Sequence, residues 1–319
     1  MRLMLPVVVG LLGGCQSETE LRFMSTLPAQ TRGVVMSEDG IESYVAMRGT
    51  TCTITTTWGC PTVDTDLPTE QERIVDHHAG RTLAQSAVGV HHLTGSAWDA
   101  ADDLIVSDVI AARLSNHGAL VIHGDAERCH LLADDAEVDV DVAVCAGNTR
   151  AVVDREGDAL WIATGEAVYR VSPESTRRFS GTDDLIAYDG VHRASYLAVA
   201  GSRKLRAIDD LGRELWSVPT RTTITAVATR GGRGDVLVLG HHGKLGLLER
   251  RDGATGELLA SYDLPGGDGE LVVSANGVGL AIQHADEVHY YVLEIAGEPA
   301  VIDEEPVVCL DLRDRMSMD

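Results

Sequence analysis

The sequence predicts an all-β protein, a closed β-propeller of seven four-stranded blades, with six as the alternative. Three observations predict it. Short apolar runs alternate with turn-prone breaks from residue 31 to residue 313. Second-strand anchors at Tyr44, Leu120, Leu160, Leu197, Leu237 and Leu280 step by 76, 40, 37, 40 and 43 residues, a period near forty that marks a repeated meander. No amphipathic helical pattern appears past residue 104, where a parallel α/β fold would need one between strands. The first step is close to twice the others, so a further blade is expected between residues 61 and 103.

The chain opens with Arg2 and an apolar run, Leu3 to Leu12. The run is too short to span a bilayer and has the layout of a secretory signal. It ends Leu12-Gly13-Gly14-Cys15, which resembles the bacterial lipobox. That resemblance implies a lipoprotein signal peptide over residues 1–14 and a lipidated Cys15 at the new N-terminus. Gln16 follows in place of Asp, which in enterobacteria resembles an outer-membrane signal rather than an inner-membrane one. Residues 15–30 are read as a lipidated tether and a ring-closing strand near Leu21. The expected address is the cell envelope, with the protein exported and anchored at the outer membrane.

The propeller domain is assigned to residues 31–313. Val34 to Met36 and Ser43 to Met47 form a hairpin, and Thr51 to Thr57, rich in β-branched residues, a third strand. Residues 61–85 form an irregular insertion. Around Thr69 to Ser86 the pattern fits a helical insert, a loop over one face or a divergent second blade. Similar breaks precede the later anchors, at Ser115-Asn116-His117-Gly118, Asp154-Arg155-Glu156-Gly157, Asp189-Gly190, Gly231-Gly232-Arg233-Gly234 and Ser274-Ala275-Asn276-Gly277. Gly, Asn and Asp at a recurrent offset are what repeated hairpins require. The last blade runs through Leu271, Leu280 and Tyr290, with Val307 to Leu312 as a final strand paired to the strand near Leu21. Residues 314–319 form a frayed tail.

The clearest repeat lies between Asp184 and Val218. It contains Ala207-Ile208-Asp209, then Gly212, then Trp216. This string resembles the repeat of quinoprotein-type propellers, Ala-x-Asp, a Thr-Gly turn, and Trp four residues on. Leu211 stands where that family has Thr. The Thr-Gly turn returns at Ala254-Thr255-Gly256-Glu257, with Ala260 at the Trp position. The chain as a whole resembles a bacterial lipoprotein carrying a quinoprotein-like or WD40-like propeller.

The 319 residues carry a net charge of −23, which argues against nucleic acid and against unaided binding to anionic lipid. Membrane contact is therefore expected through the lipid anchor only. Only two of the 26 Lys and Arg are Lys, Lys204 and Lys244, a bias that a GC-rich genome explains. With Cys15 lipidated, five of the six cysteines remain. Cys52 with Cys60 and Cys129 with Cys145 are candidate disulfides in an oxidising compartment, and Cys309 is left over.

Candidate chemistry is sparse, and no catalytic, cofactor-binding or metal residue is assigned. The histidine pairs His77-His78, His91-His92 and His241-His242 cannot grip one metal from a strand, because neighbouring side chains point to opposite faces. His123 and His130 are read on adjacent strands, where only a three-dimensional cluster would make a site. The acidic pairs Asp102-Asp103, Asp134-Asp135, Asp183-Asp184 and Asp209-Asp210 are read as turn residues. Trp58, Trp98, Trp161 and Trp216 fall in different blades and are read as packing. The expected function is non-catalytic binding or scaffolding of a protein partner at the envelope. In plan this is similar to the lipoprotein propeller of the outer-membrane assembly machine. The alternative is a propeller enzyme, a metal-dependent lactonase or lyase or a quinoprotein-type oxidoreductase. The stretch 61–85 is the candidate contact segment for a partner.

Overall fold

In the computed structural model, residues 19–27, 31–36, 42–47, 50–57, 60–64, 73–86, 89–94, 99–104, 108–133, 136–146, 149–274, 276–283 and 288–295 are described. They form an all-β propeller. Their strands fall into seven four-stranded antiparallel sheets. We number these 1 to 7 along the chain: 31–64, 73–104, 109–139, 150–180, 185–219, 223–264, and 270–295 together with Thr19–Leu27. Each of sheets 1 to 6 is a simple meander, with strand order equal to chain order. The only helix among the described residues is two 3-10 turns, Val142–Val144 and Gly231–Arg233.

Sheet 7 is assembled from both ends of the chain. Thr19–Leu27 pairs antiparallel with Val288–Ile295, placing Leu21 opposite Leu293. The expected N-terminal strand near Leu21 is therefore present, and its partner is the third strand of the sheet. The proposed final strand Val307 to Leu312 lies outside the described residues. First strands of successive sheets touch one another, and the first strand of sheet 7 touches that of sheet 1.

Period-two alternation sends the two faces of each sheet to different neighbours. In sheet 5, Leu185, Ala187, Tyr196, Ala198, Leu205 and Ala207 pack with Ile224, Val236 and Val238 of sheet 6. The intervening Ile186, Leu197 and Ile208 pack with Trp161, Ala163 and Val168 of sheet 4. Strand Ala194–Ala198 is buried throughout, as its continuous apolar run requires. Val199 leaves the sheet and is 38% exposed, so the apolar run outlasts the strand by one residue.

The Gly and aromatic signals of the repeat meet between sheets. A Cβ on Gly256 would come within 2.8 Å of the Trp216 ring. Trp216 stacks on Tyr196 with centroids 5.7 Å apart, and its Nε1 donates to the Gly253 carbonyl at 3.0 Å. One step earlier in the chain, Phe179 of sheet 4 sits where a Cβ on Gly212 of sheet 5 would be. An aromatic on the fourth strand thus rests on the third-to-fourth turn of the next sheet. Only Gly leaves room there, and at φ +79° and +75° Gly212 and Gly256 also supply the left-handed backbone.

Two expectations are corrected here. Residues 61–64 and 73–85 belong to regular sheets rather than to an irregular insertion, and residues 65–72 lie outside the described residues. Cys60–Asp64 is the fourth strand of sheet 1, and Arg73–His78 and Arg81–Ser86 open sheet 2. Of the readings open for that stretch, the structure has the divergent blade; its polar residues blurred the alternation. The pairing of Cys52 with Cys60 fails on register. Cys60 lies opposite Thr57 and Cys52 opposite Val45, which separates their Cα atoms by about 16 Å along the strand. A disulfide needs less than about 7 Å.

Candidate functional site

The meander gives every sheet two unlike ends. First-to-second and third-to-fourth turns share one, here the hairpin end. Second-to-third turns and the connections to the next sheet share the other, the crossing end.

At the hairpin end the breaks seen in the sequence have a common construction. The residue that opens each break is buried, and its side chain holds the turn. Ser115 Oγ accepts from the amides of His117 and Gly118 at 3.2 and 3.1 Å. Asp154 accepts from Gly157 at 3.0 Å, Asp189 from Val191 at 2.9 Å, and Ser274 from Gly279 at 2.8 Å. Local side-chain bonds of this kind fix a tight turn without other support. In sheet 6 the position is Arg230, 1% exposed. Its guanidinium donates to Asp235 at 3.1 Å and to the Gly277 carbonyl of sheet 7 at 2.7 Å. Burial pulls the Arg230 pKa below the usual guanidinium value.

The same end is tied from sheet to sheet by charged side chains. Arg155 of sheet 4 donates to both carboxylate oxygens of Asp76 in sheet 2, at 3.2 and 3.0 Å, and to the Leu114 carbonyl of sheet 3 between them. Asp76 also accepts from the Leu114 amide at 2.7 Å. His78 contacts Asn116 at 2.8 Å, and Arg233 donates to the Asn276 carbonyl at 3.1 Å. The sequence showed these residues only as polar punctuation. The signal that marks them is the constant offset of the break.

The crossing end of sheet 3 holds a cluster of four titratable groups. Register places His123, His130 and Asp139 side by side on three neighbouring strands. The His123 and His130 rings stack with centroids 5.5 Å apart. His123 Nε2 lies 3.2 Å from Glu137 Oε1, and His130 Nδ1 lies 3.8 Å from the same oxygen and 3.0 Å from Asp139 Oδ1. Burial lowers the His123 pKa; Glu137 opposes the shift and His130 adds to it. The adjacent strands expected for this pair are present. Chemically, each imidazole is a base held by a carboxylate. Among the described residues no group of three or more His, Cys, Asp or Glu has the geometry to hold a metal ion. The cluster is braced by the Cys129–Cys145 disulfide, Cα–Cα 5.7 Å, which ties the third strand to the crossing after the turn Val142–Val144.

The remaining flagged residues do not converge. His241 contacts Asp268 at 2.5 Å, whereas its neighbour His242 contacts the Arg221 carbonyl at 3.1 Å. His77 turns to Thr82. The backbone of His91 and His92 lies in strand Gly89–Thr94. Asp183 pairs with Arg206, Asp184 accepts from the Ala200 amide at 2.6 Å, Asp209 accepts from Leu211 and Arg213, and Asp210 pairs with Arg193. Asp102 and Asp103 are not turn residues; they lie in strand Asp99–Leu104. Trp161 is fully buried against Phe179 and Tyr188. Cys15, Trp58, Trp98, Asp134, Asp135 and Cys309 lie outside the described residues.

No protein-family model matches the sequence, and no curated protein does. Solved structures do match in fold. The chain is similar to a streptogramin B lyase at TM-score 0.58 and 11% identity, over 87% of this chain and 98% of that one. It is similar to a chain of the mitotic checkpoint complex at TM-score 0.64 and 10% identity, over 92% and 99%. It is also similar to the β-propeller domain of Cps50 (Swd1) from Myceliophteria thermophila at TM-score 0.61 and 12% identity, over 86% and 99%. At these identities the likeness concerns the fold. This chain is a β-propeller.

Proposed function

We propose that the chain is a non-catalytic binding module, exported, held at the cell envelope by a lipid on Cys15, and engaged with a protein partner through one face of its propeller. The observation that carries the reading is the inequality of the two ends. At the hairpin end charged side chains are spent on neighbouring sheets. At the crossing end of sheets 5 and 6 exposed charged side chains remain on the second-to-third turns, available for contact as loops on a rigid scaffold are. We propose further that the seven sheets close as one ring through the pairing of Thr19–Leu27 with Val288–Ile295, because closure removes exposed sheet edges. The net charge of −23 supports a protein partner over nucleic acid, and membrane contact through the acyl chains only.

The test is crosslinking of the whole protein in isolated envelopes, with Cys15→Ser as companion. Specific crosslinked partners in the membrane fraction, and release of Cys15→Ser to the soluble fraction, are the expected results. A protein without specific crosslinks overturns the binding reading, and unchanged fractionation of Cys15→Ser overturns the anchor.

A second reading is favoured by the likeness to streptogramin B lyase and by the imidazole–carboxylate contacts of sheet 3. It is a propeller enzyme, a lactonase or lyase with added metal, or a quinoprotein-type oxidoreductase. Turnover of a lactone or streptogramin by purified protein with divalent metal, lost in His123→Asn, would replace the first reading with this one.

A further inference from the structure

The only two lysines of the chain stand at the start of the third strand in two neighbouring sheets. Lys204 opens the third strand of sheet 5, Lys204–Asp209, and Lys244 directly precedes the third strand of sheet 6, Leu245–Asp252. Both stand at the crossing end. Genome composition accounts for how few lysines there are, but not for where they are.

The ground between them is continuous. The Gly201 amide donates to the Ile224 carbonyl and the Ile224 amide to the Ser202 carbonyl, each at 2.8 Å. Arg203 Nε donates to Thr223 Oγ1 at 3.4 Å. Thr223 pairs with His241, and His242 pairs with Leu245. The His242 ring contacts the Arg221 carbonyl at 3.1 Å. Arg203, Lys204, Arg221 and Lys244 are all exposed on this ground. None of the four forms an ion pair with a carboxylate among the described residues, whereas Arg193, Arg206, Arg213, Arg230, Arg250 and Arg251 each do.

Three carboxylates of this end are already engaged. Glu249 is buried, accepts from the amides of Arg221 and Thr222 at 2.6 and 2.9 Å, and pairs with Arg251. Asp184 caps the Ala200 amide, and Asp268 holds His241. Two apolar side chains complete the surface. Val199 is 38% exposed on the second-to-third turn of sheet 5, and Leu245 is 58% exposed at that of sheet 6.

A patch of free cations interleaved with exposed apolar groups, on a chain of net charge −23, has a definite complement. We infer that the crossing end of sheets 5 and 6 receives an acidic segment of a protein partner that carries apolar side chains. Unpaired cations cannot satisfy one another, and the strongly negative net charge of the chain repels the same segment elsewhere on balance. The patch therefore sets both the location and the register of docking. This inference rests on the binding-module reading and names its surface.

The test uses the intact protein and a labelled peptide of alternating Glu and Leu, read by fluorescence anisotropy at low and physiological salt. We expect salt-sensitive binding that weakens about tenfold or more in Lys204→Glu/Lys244→Glu, where two attractions become repulsions. It should weaken less in Leu245→Ser and stay unchanged in Arg177→Glu/Arg178→Glu on the outer strand of sheet 4. Thermal melts identical to the parent establish that each variant is folded, and Lys204→Gln/Lys244→Gln serves where the reversal is not. Equal peptide binding by parent and folded double variant overturns the inference. So does binding of phosphatidylglycerol vesicles or an oligonucleotide at these lysines in place of the peptide. Envelope crosslinks that persist in the double variant would sink this surface and leave the binding module standing; loss of all crosslinks in the parent would sink that reading itself.

Discussion

The two ends of the propeller use the same residue types for opposite ends. At the hairpin end Arg155 reaches across a whole sheet to Asp76, and Arg230 is buried between Asp235 and Gly277. At the crossing end of sheets 5 and 6, Arg203, Lys204, Arg221 and Lys244 face solvent, and backbone bonds between a turn and the next first strand hold the sheets together. A buried guanidinium must be paired or its desolvation goes uncompensated, so the hairpin end is costly to disturb. An exposed cation contributes little to stability and is free for recognition. Buried, paired charge at the hairpin end thus contrasts with exposed charge at the crossing end of sheets 5 and 6.

The comparison is broken most severely at the hairpin end. Asp235→Ala leaves Arg230, 1% exposed, without its carboxylate and removes a partner of Arg250 at 2.6 Å. A loss of about 3–5 kcal/mol is expected, measured by denaturant unfolding, and Arg230→Leu/Asp235→Leu should recover much of it. A loss below about 1 kcal/mol would mean that the tie is ornamental.

The crossing end has its own staple, which the next variant removes. Cys129→Ser/Cys145→Ser opens a loop with a sequence separation of 16 and should cost about 3 kcal/mol. Unfolding with and without reductant checks it: the parent should fall to the variant's midpoint on reduction, and the variant should not move.

Two glycines, one from each end, sharpen the contrast. Gly212 and Gly201 both sit at φ +79°. A Cβ at Gly212 meets the Phe179 ring at 2.2 Å, while nothing lies within 4 Å of one at Gly201. Gly201→Ala should cost about 1 kcal/mol from the backbone alone. Gly212→Ala should cost about 2–4 kcal/mol, because packing is added. Equal losses would show that the aromatic-on-glycine contact contributes nothing.

The smallest effect concerns pH. Burial holds His123 below its ordinary value of 6.5, with Glu137 pulling the other way. Between that lowered value and 6.5 the unfolded chain binds a proton that the folded chain does not. Stability therefore rises with pH across the window and is lost as pH falls through it. His123→Asn should flatten that slope in unfolding midpoints taken at several pH values. A slope that survives the substitution assigns the titration to another group.

Much of this architecture is local and was therefore legible. Alternation, turn residues and a near-forty-residue step are set by neighbours in sequence, because a meander pairs each strand with the next. The aromatic and Gly signals around Trp216 and Gly212 were legible as a repeat; that Trp216 rests on Gly256 of the next sheet, and Phe179 on Gly212, is not local. Polar residues at 73–86 hid two regular strands, because alternation is the main signal a short strand carries. The Cys52 and Cys60 pairing failed for a related reason. Closeness in sequence says nothing of register, and the hairpin set them five residues apart along the ladder. Cys129 and Cys145, farther apart in sequence, are bonded because a crossing folds back over its own sheet.

That strands form, where the chain turns and that its charge is strongly negative all follow from composition and near-neighbour sterics. Which charges are consumed and which are left free depends on how the sheets pack against one another. His123, His130 and Asp139 meet through cross-strand register, Asp76 and Arg155 through three sheets, and Lys204 and Lys244 through the shared end of two adjacent sheets. Each depends on distances between residues far apart in the chain, which no local pattern encodes.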